Sequence, residues 1–154
     1  MFSPEIEAKM DKIIARYPFK RSAILPLLHL AQIEQGKISE EAMRYIADRL
    51  DLMPVEVYEV VTFYSMFFLD NIGKYHIQLC RTISCMLCGA EKIREHLQQQ
   101  LGIKPGEATK DGRFRLSEVE CLGSCSTAPA MQINFDYYEN LTPEKVDEIL
   151  KALP

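Results

Sequence analysis

The chain has 154 residues, 47% of them hydrophobic and 26% charged, with a formal net charge of −4 at neutral pH. That is the make-up of an ordinary globular protein of one domain or two small ones. Its acidity removes any general electrostatic reason to bind nucleic acid or anionic lipid. Both halves are alike, residues 1–73 carrying 8 Lys and Arg against 11 Asp and Glu and the remainder 10 against 11.

The N-terminal stretch MFSPEIEAKM lacks the basic-then-apolar order of a signal peptide and is too acidic for a transit peptide. The longest apolar runs, residues 23–28 and 64–69, fall far short of a membrane span. The expectation is a soluble, cytoplasmic chain in a reducing compartment, with no membrane insertion of its own. There, clustered cysteines point to metal binding or redox chemistry rather than to structural disulfides.

Residues 1–72 read as helices only. Ser3, Pro4 and Glu5 start the first, with Ile6, Met10, Ile13 and Ile14 on one face. A second fits Ser22 to Gln35, closed by Gly36, with Pro26 tolerated in its first turn. Ser39 with Glu40 and Glu41 starts a third, and Met53-Pro54 a fourth that runs to about residue 66. Short loops between them predict a compact helical bundle. Met43, Met53, Met66 and the aromatics Phe63, Tyr64, Phe67 and Phe68 recur at helical spacing, which reads as core or partner-facing surface rather than as a cofactor box.

The pattern changes at Asn71-Ile72-Gly73, a turn between modules. Tyr75, Ile77 and Leu79 alternate with His76 and Gln78, the period of a strand that delivers Cys80 at its end. Residues 81–88 read as a loop, Ala90 to about Leu101 as a helix, and residues 110–113 as a hairpin-type turn. Phe114, Leu116 and Val119 lead to Cys121. Residues 131–135 alternate as another strand, and Thr142-Pro143-Glu144 caps a final helix. The order predicts a small mixed sheet with helices, an α/β (α+β) module over residues 73–154 after the helical region 1–72.

All five cysteines lie between Cys80 and Cys125, in the pairs Cys80-x4-Cys85 and Cys121-x3-Cys125 with Cys88 beside the first. Three chemistries fit. A 2Fe–2S cluster needs four thiolates, two for each iron, and Cys80, Cys85, Cys121 and Cys125 supply them. Small residues nearby (Ser84, Gly89, Gly123, Ser124, Ser126) would let backbone N–H groups approach the sulfurs. Zinc also accepts four thiolates, with Cys85-x2-Cys88 and Cys121-x3-Cys125 as its pairs. A thioredoxin-like dithiol would use Cys85 and Cys88, leaving Cys121 and Cys125 unexplained. Inert buried thiols are the remaining reading. His29, His76 and His96 sit at no ligand spacing and read as structural or solvated. The sequence contains no G-x-G-x-x-G and no P-loop.

The run Met53 to Tyr64 (MPVEVYEVVTFY), Cys80-x4-Cys85, Val119 to Cys125 (VECLGSC), Pro129, and Asp136 to Pro143 (DYYENLTP) together resemble the family of thioredoxin-like 2Fe–2S subunits of respiratory complex I, over nearly the whole chain. The resemblance implies an N-terminal helical bundle that binds a partner, followed by a thioredoxin-like ferredoxin domain. It implies Cys80, Cys85, Cys121 and Cys125 as ligands of one 2Fe–2S cluster and says nothing of Cys88. NADH and FMN would bind a larger flavoprotein subunit, with other peripheral-arm iron–sulfur subunits alongside. The complex would sit peripherally on the inner face of the bacterial plasma membrane. Related subunits serve NAD-linked hydrogenases and formate dehydrogenases.

Overall fold

A computed structural model describes residues 2–154, which fall into two compact units, one ending at Asn71 and the other spanning Ile72–Pro154. The first contains four α-helices: α1 (Pro4–Ile14), α2 (Ile24–Gln35, after a 3-10 turn over Lys20–Ala23), α3 (Glu40–Leu50) and α4 (Pro54–Phe63). Ser3 caps α1 by accepting from the Ile6 N–H, and Ser39 caps α3 by accepting from the Ala42 N–H at 3.1 Å. The second helix starts two residues later than its sequence suggests, at Ile24. It has no side-chain cap, because the 3-10 turn ahead of it takes up the chain. Leu27, Leu28 and Ala31 of α2, Ala42, Ile46 and Ala47 of α3, and Val57 of α4 are fully buried in one core. Burying a Leu side chain stabilises by roughly 1.5–3 kcal/mol, so this core is sufficient reason for the helices to associate.

The fourth helix stops at Phe63, short of the expected residue 66. Its competitor is Gln32. The Gln32 amide donates to the Met66 carbonyl and accepts from the Phe68 N–H, each at 2.8 Å, while the Phe68 carbonyl accepts from the Ile38 N–H at 2.7 Å. These bonds, with a turn in which the Phe67 N–H donates to the Tyr64 carbonyl at 3.2 Å, satisfy backbone groups of residues 66–68 outside the helix, and Phe67 joins the core.

The second unit is a four-stranded mixed sheet with order β2-β1-β3-β4, formed by β1 (Tyr75–Cys80), β2 (Phe114–Val119), β3 (Met131–Ile133) and β4 (Asp136–Tyr138). Strands β1 and β2 are parallel, in the register Ile77 with Leu116 and Cys80 with Val119. The other pairs are antiparallel, Ile77 facing Ile133 and Met131 facing Tyr138. A parallel pair requires a crossover. Here it contains α5 (Ile83–Leu87) and α6 (Ala90–Leu101), and α7 (Pro143–Ala152) follows the sheet. Ile93 and Leu97 of α6 and Val146 of α7 pack with Tyr75, Ile77, Leu79, Leu116, Met131 and Ile133, so both helices cover one face. The outer edge of β2 is covered by residues 106–107, whose backbone bonds both polar groups of Leu116.

Two local expectations change. Residues 81–88 are not all loop, because α5 forms there after Thr82. Nor is 131–135 one strand. It breaks after Ile133 into a tight hairpin whose first turn residue, Asn134, has φ +54°. Asn tolerates that conformation, and its side chain secures the turn by accepting from the His76 N–H (2.9 Å) and donating to the Lys74 carbonyl (3.0 Å). At the start of the unit Gly73 also has a positive φ, and a Cβ there would stand 2.9 Å from the Gly112 carbonyl oxygen.

His76 is buried, with Nε2 2.8 Å from the Ser117 hydroxyl and Nδ1 3.1 Å from the Gln78 amide. Burial, and then the Arg115 charge, lower its pKa from 6.5 to about 4. The unfolded chain therefore binds this proton more readily. The stability that neutral His76 contributes is complete above its unfolded pKa and is lost as pH falls from 6.5 towards 4. In urea unfolding the wild type should lose about 2 kcal/mol more than His76→Asn between pH 7 and pH 5. Equal losses would mean that His76 is not held neutral.

Candidate metal centre

Because β1 and β2 run the same way, their C-terminal ends open at one edge of the sheet. Cys80 is the last residue of β1, and Cys121 follows Val119 by two residues. Strand β3, antiparallel to β1, begins at that same edge, so the segment from Cys125 to Ala130 enters there. The Cys80 N–H donates to the Ala130 carbonyl at 3.1 Å and the Arg81 N–H to the Val119 carbonyl at 3.0 Å, tying the three strand ends together. Outside, the Arg81 guanidinium binds the Glu120 carboxylate at 2.5 and 3.0 Å. Both side chains are exposed, and such a pair is worth only about 0–1 kcal/mol.

Cys80 and Cys85 are buried among Ala90, at the start of α6, and Ala130; Cys121 and Cys125 are exposed, with their sulfurs 3.5 Å apart. All five thiols are free. The Cys80 sulfur is 3.2 Å from the Thr82 hydroxyl, and the Gly123 N–H donates to the Cys121 sulfur at 3.3 Å. The Ala130 N–H serves Cys85, and the Ser84 hydroxyl serves Cys125. Of the small residues singled out in the sequence, Gly123 thus donates to a sulfur. Ser124 instead bonds Glu139.

Each pair is electrostatically uneven. Burial pushes the Cys80 thiol up, but hydrogen bonds from the Thr82 hydroxyl and N–H, from the Leu122 N–H and from Cys85 outweigh it and leave the thiol below its ordinary value. Burial pushes Cys85 up to about 11. Cys121 is lowered, first by the Gly123 N–H and then by Cys125, while Cys125 is raised by that same pairing. One thiol of each pair is therefore easier to ionise than its neighbour, and a metal bound there would displace the remaining protons.

Among the described residues no three His, Cys, Asp or Glu side chains are grouped as ligands of one ion. The thiols come as two adjacent pairs, the division a two-iron cluster uses, and the backbone donors around them suit its negative charge. A thiol held up to about 11 is a poor nucleophile, which weighs against a dithiol built on Cys85. Cys88 stands exposed at the end of α5. His29 packs on Phe67 with ring centroids 5.0 Å apart, and His96, expected on an exposed helix, is half-buried against Asp147 at 2.7 Å.

Sequence reasoning missed Thr82, the backbone of Leu122 and Ala130, and Glu139. Thr82 lies two residues from Cys80, and Glu139 lies within the run Asp136 to Pro143 already singled out, whereas backbone donors leave no mark on a sequence. The Glu139 carboxylate accepts from the Thr127 hydroxyl at 2.7 Å and from Ser124, which hold it below the usual carboxylate range. It thereby anchors the turn that carries Cys125, and the Tyr137 hydroxyl donates to the Leu122 carbonyl in the same loop at 3.2 Å.

Together the fold and the site define a class: a small α/β domain that presents two pairs of thiols at the ends of its strands. Residues 10–154 match the family described as thioredoxin-like 2Fe-2S ferredoxin. The chain is 47% identical over 144 residues to the E 2 subunit of the NADH-quinone oxidoreductase of Rhizobium meliloti (strain 1021), an alignment covering 94% of this chain and 86% of that protein. It is 50% identical over 143 residues to the E subunit of the NADH-quinone oxidoreductase of Rickettsia felis, covering 91% and 86%. Among solved structures, it superposes with a TM-score of 0.75 and 25% identity on an NAD+-reducing NiFe-hydrogenase, over 83% of this chain but only 22% of the hydrogenase chain. The chain belongs to the thioredoxin-like 2Fe–2S ferredoxin family, a family of iron–sulfur proteins. Among the described residues no helix is long and apolar enough to cross a membrane.

If Glu139 is the anchor described, Glu139→Ala should raise amide hydrogen exchange over residues 123–127 several-fold while leaving β1 and β2 protected. Unchanged exchange in that segment would show that the turn holds itself.

Proposed function

We propose that this chain is the electron-transfer subunit of an NADH-quinone oxidoreductase, holding one 2Fe–2S cluster on Cys80, Cys85, Cys121 and Cys125. The observation that carries the proposal is identity of 47–50% with proteins of that name over more than nine-tenths of the chain, joined to a four-thiol centre of the right count. When bound, the cluster supplies one-electron exchange with the flavin of an NADH-binding partner subunit. This chain's residues fix the four sulfurs, direct N–H and hydroxyl donors at them, and keep one pair dry and the other accessible.

NADH and FMN are assigned to the partner flavoprotein, in keeping with a sequence that has no nucleotide motif. The helical region, residues 1–72, is assigned to partner binding. Val55, Tyr58, Phe63 and Met66 on and just after α4 are exposed, an unusual share of large apolar side chains for a free surface. The complex would hold the chain at the inner face of the bacterial plasma membrane, beside other iron–sulfur subunits. A second reading, the equivalent subunit of an NAD-linked hydrogenase or formate dehydrogenase, is favoured by the hydrogenase superposition. Its identity to this chain is half that of the oxidoreductase subunits.

Iron analysis and electron paramagnetic resonance test the assignment. The purified chain should hold about two irons and, once reduced with dithionite, show a rhombic signal from about one spin. Cys121→Ser should abolish or badly perturb that signal, and Cys88→Ser should not. Iron content and spectrum unchanged by Cys121→Ser would overturn the ligand set.

A further inference from the structure

Thr82 occupies the N-cap position of α5, with φ −77° and ψ 167°, yet its side chain makes no capping bond to that helix. A threonine at such a position ordinarily bonds a free N–H of the first turn. Here the hydroxyl is turned the other way, 3.2 Å from the Cys80 sulfur.

We propose that Thr82 is a positioning residue of the candidate metal centre, its hydroxyl serving as a proton donor to the Cys80 sulfur. The inference rests on the ligand set proposed above. A hydroxyl has a single proton to give. With the Cys80 sulfur present as a metal thiolate, it has no proton to offer, so the Thr82 oxygen can only donate to it. Such a bond favours the reduced, more negative state of the centre and so raises its potential.

The test compares Thr82→Val, which keeps the shape and loses the hydroxyl, with Thr82→Ser, which keeps the hydroxyl and loses the methyl. The readouts on the full iron-loaded chain are iron content, visible circular dichroism and midpoint potential from a dye-mediated titration followed by electron paramagnetic resonance. Thr82→Val should hold its iron, move to a more negative potential and change its dichroism, while Thr82→Ser stays near the wild type. Iron loss in Thr82→Val alone also supports the proposal, since the bond to Cys80 would then be what holds that ligand in place. A wild-type potential in Thr82→Val, an equal shift in Thr82→Ser, or iron loss in both variants overturns it. A wild-type chain that takes up no iron overturns the cluster assignment and this proposal with it; a loaded wild type beside an indifferent Thr82→Val overturns this proposal alone.

Discussion

The parallel pairing of β1 with β2 is the constraint on which the rest of the candidate metal centre depends. Parallel strands end on the same side, so a cysteine at the end of one and a cysteine just past the end of the other are brought together without further device. An antiparallel pairing of the same segments would put Cys80 and Cys121 at opposite edges. The pairing also dictates the crossover, and so the place of α6. Its first residue, Ala90, packs on Cys80 and Cys85, and its middle, Ile93 and Leu97, fills the core beneath the sheet. Strand β3 completes the arrangement by entering antiparallel at the same edge, where Ala130 accepts from one cysteine and donates to another.

Four thiols in one place are an electrostatic liability, since each negative charge opposes the next. The protein answers it with donors drawn mostly from backbone and short side chains. Gly123, Leu122 and Ala130 contribute N–H groups, Thr82 and Ser84 hydroxyls. Backbone donors are fixed by the fold and add no charge of their own, so they steady the sulfurs without competing with a ligand for them. Glu139 stands one step behind, and its negative charge is occupied by Thr127 and Ser124 rather than turned on the cysteines.

Much of this was legible in the sequence. Helix starts at Ser3, Ser39 and Thr142 were marked by residues whose hydroxyls do accept from the first turn. Alternation about Ile77 revealed β1 and, with it, the placing of Cys80 at a strand end. What was hidden depended on partners distant in sequence. The end of α4 was decided by Gln32, more than thirty residues earlier, and no local pattern around Phe63 records that. The β3–β4 hairpin was hidden because Asn134-Phe135 lacks the glycine that usually marks such a turn; Lys74 and His76 supply its support. Backbone donors to sulfur are silent in a sequence altogether, since any residue can provide an N–H.

The unequal burial of the two thiol pairs has a bearing on survival outside the assembly. Cys121 and Cys125 lie open to solvent. Whatever can approach them to exchange an electron can be preceded there by dioxygen, peroxide or a chelator, and exposed thiolates are the ones such reagents attack. Any surface that closes over this pair acts as a shield as well as a conductor. The isolated chain should accordingly age from this side first, losing its exposed sulfurs to oxidation while Cys80 and Cys85 remain intact beneath.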